Sequence, residues 1–265
     1  MKHLFVLALA ALLGAQGMQA QESKKVEKFG IFDHMSIGVA GGTTGLGFEL
    51  AAPITDFVQM RVGYHFLPKS ITYTRGIDYT YTDKTDPNNH KPGTKGKTDV
   101  EFKLNMGNAD ILFDVYPTRK TMFHFTVGAF IGRNDLITAQ NINEIKGVEE
   151  GEGLLIGDYV IGPYTREETD PKYGYCFAKI KTNKFKPYIG IGVGRAVPKK
   201  RVSVCGDFGV MFWGKPGVYA ENKYNGDVKV TKDDIGDYND GGAFKIMSKI
   251  IVYPMLTLRI NGRIF

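Results

Sequence analysis

The chain has 265 residues, 43% hydrophobic, 12% aromatic and 23% charged, with 33 Gly and 2 Cys. This composition excludes collagen-like and disordered chains, and two cysteines exclude a disulfide scaffold or a four-cysteine zinc site. A mean hydropathy of −0.19, with no apolar run of 18 residues, excludes a helical membrane protein, while a net charge of +6 permits anionic contacts without requiring them.

The first predicted element is a leader. Lys2 and His3 precede an unbroken apolar run from Leu4 to Leu13, followed by a small, polar stretch ending Met18-Gln19-Ala20. That pattern predicts a secretory signal over residues 1–20, too short for a membrane span. Residues 21–33 then read as a periplasmic N-terminal tail and 34–265 as the folded body.

From residue 34 onward the hydrophobic period is two rather than 3.6. Val58, Met60, Val62, Tyr64 and Phe66 alternate with Gln59, Arg61, Gly63 and His65. Phe123, Phe125, Val127, Ala129 and Ile131 alternate with His124, Thr126, Gly128, Phe130 and Gly132. The same pattern recurs through Ile189–Val193, Val202–Phe212 and Leu256–Ile260. Eight strands are predicted, at about 34–41, 44–53, 57–67, 99–116, 122–133, 186–197, 200–213 and 248–265. The fourth changes phase: Phe102, Leu104 and Met106 are even, whereas Ile111, Phe113 and Val115 are odd. A β-bulge near Gly107-Asn108 would absorb the extra residue.

Alternation alone also fits a soluble sandwich, with one face buried and one wet. Here the apolar face is continuous and nearly free of charge, while the opposite face mixes Gly with Glu49, Arg61, Asp110, Asp114, Asp207 and Arg259. Most strands reach the length needed to cross a bilayer. Tight turns at 53–57, 117–121 and 196–200 contrast with long segments at 68–98, 134–185 and 214–247. These features predict an all-β fold: a transmembrane antiparallel up-and-down β-barrel of eight strands, with short periplasmic turns and three long extracellular loops. Turns centred on Thr55 and Arg119 would set Glu49 opposite Arg61, Leu50 opposite Met60, and Asp114 opposite His124.

The chain closes on Tyr253-Pro-Met-Leu-Thr-Leu-Arg-Ile-Asn-Gly-Arg-Ile-Phe265. With the stretches Gly45–Tyr64, Ala109–Gly132 and Phe185–Gly217, this resembles the small eight-stranded outer-membrane β-barrels of Gram-negative bacteria. The resemblance implies an outer-membrane location, surrounding lipid and lipopolysaccharide, and Phe265 as a signal to the barrel assembly machinery. Phe265 lies out of phase with Leu256, Leu258 and Ile260, which implies a bulge near Gly262 or a lumen-facing terminus.

Buried ions in a narrow lumen must pair, because an unpaired interior charge is very costly. Glu49, Arg61, Asp110, Asp114, His124, Asp207 and Arg259 are therefore expected to form a lumen charge network, with Glu49–Arg61 and Asp207–Arg259 as direct pairs. His124 beside Asp114 has the makings of a general base, but Ser203 does not join them as a nucleophile, so a structural histidine is expected. Cys176 and Cys205 are expected to be free thiols. Asp233, Asp234, Asp237 and Asp240 lack calcium-loop spacing and read as a solvated acidic segment. A short helical turn is expected at about 242–248, over the extracellular mouth. Segment 68–98 is basic and segment 134–172 acidic, which favours their packing together. The sequence thus points to a surface structural or interaction protein with a plugged lumen, no cofactor, no metal, no catalysis and no nucleic-acid partner. A narrow channel or small-ligand transport barrel is the first alternative, and a lipid-modifying enzyme the second.

Overall fold

The computed structural model describes residues 30–83, 90–143, 145, 152–156, 159–161, 175–222, 226–229 and 251–264. The expected signal segment, the helical turn at 242–248, the acidic segment around Asp237 and Phe265 lie outside the described residues. In chain order the described strands begin with β1 (Ser36–Gly42), β2 (Gly45–Pro53), β3 (Val58–Phe66), β4 (Ile71–Asp83), β5 (His90–Leu104) and β6 (Gly107–Val115). There follow β7 (Phe123–Gly132), β8 (Asp135–Asn141), β9 (Glu152–Ile156), β10 (Tyr159–Ile161) and β11 (Phe177–Lys181). The last are β12 (Phe185–Val193), β13 (Val202–Phe212), β14 (Gly217–Asn222), β15 (Gly226–Lys229) and β16 (Val252–Arg263).

Eight strands close an antiparallel barrel in the order β1-β2-β3-β6-β7-β12-β13-β16, and β16 pairs back onto β1 from Ser36↔Arg263 to Gly42↔Thr257. Each barrel strand neighbours the next barrel strand in the chain, as an up-and-down barrel requires. The outer face is apolar: Ile37, Phe48, Val62, Val127, Ile189 and Ile260 all stand exposed, Phe48 at 57%. The inner face carries Arg61, Asp114, His124 and Arg259, none more than 2% exposed. Large apolar side chains facing outward lose about 1.5–3 kcal/mol each in water, and regain it only against an apolar surrounding. Greasy outside, ionic inside and no open edge together define a membrane-spanning barrel of the outer-membrane type.

The expected parity holds, but the two hairpin registers shift by two residues. Glu49 lies opposite Gly63 and Ala51 opposite Arg61, rather than Glu49 opposite Arg61. Asp114 lies opposite Thr126 rather than His124. The cause in the first hairpin is local: Thr55 Oγ1 accepts from the N–H groups of Phe57 at 3.2 Å and Val58 at 3.0 Å, so the turn centres one residue later than Thr55. A shift of two leaves every side chain on its predicted face.

The long segments are not plain loops. They contain a second eight-stranded sheet, ordered β10-β9-β4-β5-β8-β11-β14-β15. Its central order, β4-β5-β8-β11-β14, repeats that of the barrel strands β3-β6-β7-β12-β13 to which these strands are joined. Backbone bonds bridge the breaks, with Asn105 N–H donating to Leu136 O at 2.9 Å and Thr182 N–H to Asn134 O at 2.8 Å. The basic and acidic segments do associate, through the β4–β9 pairing from Thr80↔Leu155 to Asp83↔Glu152.

The predicted fourth strand is two strands, and the phase change is not a bulge. Even-numbered Thr98, Val100 and Phe102 of β5 line a cavity of the upper sheet, and even-numbered Asp110, Leu112 and Asp114 of β6 fill the lumen. What reverses between Leu104 and Gly107 is which face is apolar. The ladders around Gly262 are regular, so no bulge lies there, and Ile264 keeps the outward phase at 56% exposure.

Candidate functional site

Buried side chains point into the lumen along its length. At the periplasmic end, the end of short turns, the β12–β13 connection folds inward. Gly194, at φ 111°, turns the chain so that Ala196 and Val197 are fully buried. This plug is tied on all sides. Ser36 Oγ donates to Ala196 O at 2.7 Å, Val197 N–H to Gln59 Oε1 at 3.0 Å, and Ser203 Oγ to Arg195 O at 2.7 Å. The Tyr116 hydroxyl donates to Gln59 Oε1 at 3.2 Å, and the Arg195 guanidinium stacks over its ring at 4.5 Å.

Above the plug lies the ionic layer. Arg61 holds Asp114 Oδ1 at 2.8 Å and Glu49 Oε2 at 3.2 Å. Arg259 holds the same Glu49 oxygen at 3.1 Å and Asp207 Oδ2 at 2.5 Å. His124 Nε2 meets Asp207 Oδ1 at 2.8 Å, and Thr126 Oγ1 donates to Asp114 Oδ1 at 2.8 Å. Each guanidinium thus bridges carboxylates from two different strands, which locks the layer. Glycines supply the space: a Cβ on Gly192 would collide with Asp207 Oδ1 and His124 Nε2. An apolar cluster of Leu112, Phe130, Tyr188, Met211 and Met255 packs into the lumen nearer the extracellular end.

Of the residues expected in the lumen network, Glu49, Arg61, Asp114, His124, Asp207 and Arg259 come together. Asp110 sits apart, with no guanidinium within ion-pair distance among the described residues and only His65 Nε2 nearby, at 3.3 Å. Sequence reasoning missed His65, although it lies four residues beyond Arg61 and shares its parity. It missed Lys186 too, which is buried and whose Nζ donates to Asn108 Oδ1 and Arg133 O, each at 2.7 Å. Ser203 is no nucleophile for His124, since its hydroxyl is engaged with the plug. Cys205 faces the lumen near the plug and Cys176 the upper sheet, and the two are not joined in a disulfide.

The upper sheet has a site of its own. One face encloses an apolar cavity of about 180 Å³ lined by Val100, Phe102, Ile137, Ala139, Cys176 and Val218, among others. A more open polar groove of about 720 Å³ lies where sheet meets barrel, lined by Lys181, Lys215, Lys229, Asn183 and Tyr219.

No protein-family model matches the chain, and no curated protein matches it. Among solved structures, Acinetobacter baumannii CarO2 is similar at 15% identity, over 88% of this chain and 99% of that one, with a TM-score of 0.46. Acinetobacter baumannii CarO is similar at 15% identity, over 86% and 96%, with a TM-score of 0.42. A major outer membrane protein from Thermus thermophilus is similar at 15% identity, over 87% and 98%, with a TM-score of 0.29. Likeness at this level says nothing of activity, and the architecture rests on the strand pairing itself.

Proposed function

We propose that the protein is a sealed barrel of a Gram-negative outer membrane, serving as a surface structural and interaction protein through the sheet it carries outside the bilayer. The observation that supports this is the lumen, where plug, ion layer and apolar cluster stack from the periplasmic end toward the extracellular end. Conduction would require the Arg61 and Arg259 guanidinium groups to release their carboxylates. In planar bilayers the purified, folded chain is expected to give no stepwise conductance. Reproducible steps whose size changes in Arg61→Ala would overturn this reading and install a narrow channel.

A second reading concerns what the sheet holds. The apolar cavity favours a small apolar ligand bound outside the membrane rather than carried through it. Native mass spectrometry of the extracted protein is expected to show a bound small molecule that Ala139→Trp excludes. Lipid and lipopolysaccharide would ring the apolar band, with lysines of the open groove near anionic headgroups, and the barrel assembly machinery would insert the chain. We read the protein as non-enzymatic. A change in lipid masses on overexpression that disappears in His124→Ala would reverse that.

A further inference from the structure

We propose that Glu49, His65 and Asp110 form a binding site for one divalent transition-metal cation inside the barrel. The three ligands come from three adjacent strands. Gly63 of β3 lies opposite Glu49 of β2 on one side and opposite Asp110 of β6 on the other. Having no side chain, it lets both carboxylates lean across the strand: a Cβ there would meet Asp110 Oδ1 at 2.8 Å and Glu49 Cγ at 2.9 Å. His65, two residues on, brings its ring over the same spot.

The spacing is that of a coordination shell. His65 Nε2 lies 3.3 Å from Glu49 Oε1 and 3.3 Å from Asp110 Oδ1, and all three donor atoms lie within 4.8 Å of one another. Ligands at roughly 2.0–2.2 Å from a tetrahedral or octahedral metal stand about 3.0–3.5 Å apart. Asp110 and His65, in contrast to Glu49, have their ion-pair contacts only within this cluster among the described residues. Neither Asp110 oxygen and neither His65 ring nitrogen makes a hydrogen bond, although Asp110 is only 1% and His65 2% exposed. Buried polar groups are rarely left so.

Charge points the same way. Glu49 belongs to the ionic layer and Asp110 lies beside it, so the spot is lined by anionic oxygens of the kind that ligate a cation. Glu49 is already divided for the purpose. Its Oε2 accepts from Arg61 and Arg259, which fix the carboxylate, while Oε1 turns toward His65 at 3.3 Å and accepts from Arg61 only at 3.4 Å. One imidazole nitrogen with two carboxylates suits zinc, manganese or ferrous iron better than calcium or magnesium. The sequence shows no metal motif because the ligands lie on three strands, joined only by register.

The test is to refold the untagged chain in detergent from chelator-treated denaturant with Zn²⁺, desalt it, and measure metal by mass spectrometry. Heat-modifiable gel migration reports folding. About one Zn²⁺ per folded chain is expected, lost in His65→Gln and in Asp110→Asn but kept in Lys186→Met. A folded wild type holding less than about a tenth of an equivalent overturns the proposal. So does full retention of zinc by both ligand variants. Should those variants fail to fold, X-ray absorption of the zinc-loaded wild type takes their place: one imidazole in an oxygen shell supports the site, and an all-oxygen shell overturns it.

Discussion

The barrel wall and the sheet above it share a strand order and a period of two, yet they turn opposite chemistry inward. In the barrel Asp114, His124 and Arg259 point in and Val127, Ile191 and Ile260 point out. In the sheet Val100, Phe102 and Ile137 point into a cavity, while Glu101 and Lys103 pair with each other on the opposite face. The barrel has no edge, whereas among the described residues the sheet's outermost strands are β10 and β15. Alternation therefore reports only that a strand has two faces. Which face is ionic reports what surrounds it, lipid for one region and water for the other.

Four substitution experiments would break or sharpen that contrast, all read by urea unfolding of the folded gel band unless stated. The largest effect belongs to the ion layer. Arg61→Ala leaves Glu49 and Asp114 without a shared partner and is expected to destabilise the barrel by about 3–5 kcal/mol. Lys103→Ala, which breaks the Lys103–Glu101 pair at 2.5 Å in the sheet, is expected to cost about 0–1 kcal/mol. Next comes the outer face. Val127→Lys places a charge in the bilayer and should cost about 2–4 kcal/mol, while Thr74→Lys, at an exposed position opposite Glu101 on the sheet's other face, should change stability by less than about 0.5 kcal/mol. Equal costs would place the sheet in lipid.

Crowding comes third. Gly192→Ala drives a methyl into Asp207 and His124 and should cost about 1–3 kcal/mol. Gly76→Ala in the sheet meets the movable end of Lys97 at 2.9 Å and Asp99 Oδ1 at an ordinary 3.4 Å, so no loss is expected. The smallest effect is in the cavity. Ile145→Val, at a residue 5% exposed, should cost about 0.5–1.5 kcal/mol. Hydrogen exchange should then rise in β5 and β8 and stay unchanged in β6 and β7. Faster exchange in all four would show that the two regions unfold as one.

Much of this was legible because a period of two is a strong signal when one face meets lipid. Glu49, Arg61, Asp114, Asp207 and Arg259 could be placed in the lumen from parity alone. Register was less legible, since Thr55 binds the turn through its side chain and moves the centre by one residue. The upper sheet stayed hidden because its strands are broken by Gly, Lys, Asp and Thr, and its apolar face is short. The grouping of His65 with Asp110 needed pairing across Gly63, which no single strand contains.

The plug between β12 and β13 also bears on the order of events during assembly. It is held by Ser36 from the first strand, Gln59 from the third, and Ser203 from the strand that follows it. Those partners stand around one ring only after β16 has zipped onto β1. The inner seal and the final seam therefore form together. The residues that hold the inward-folded connection are thus supplied by the first, third and seventh staves of the wall, so the fit of the inner segment reports whether the ring has closed.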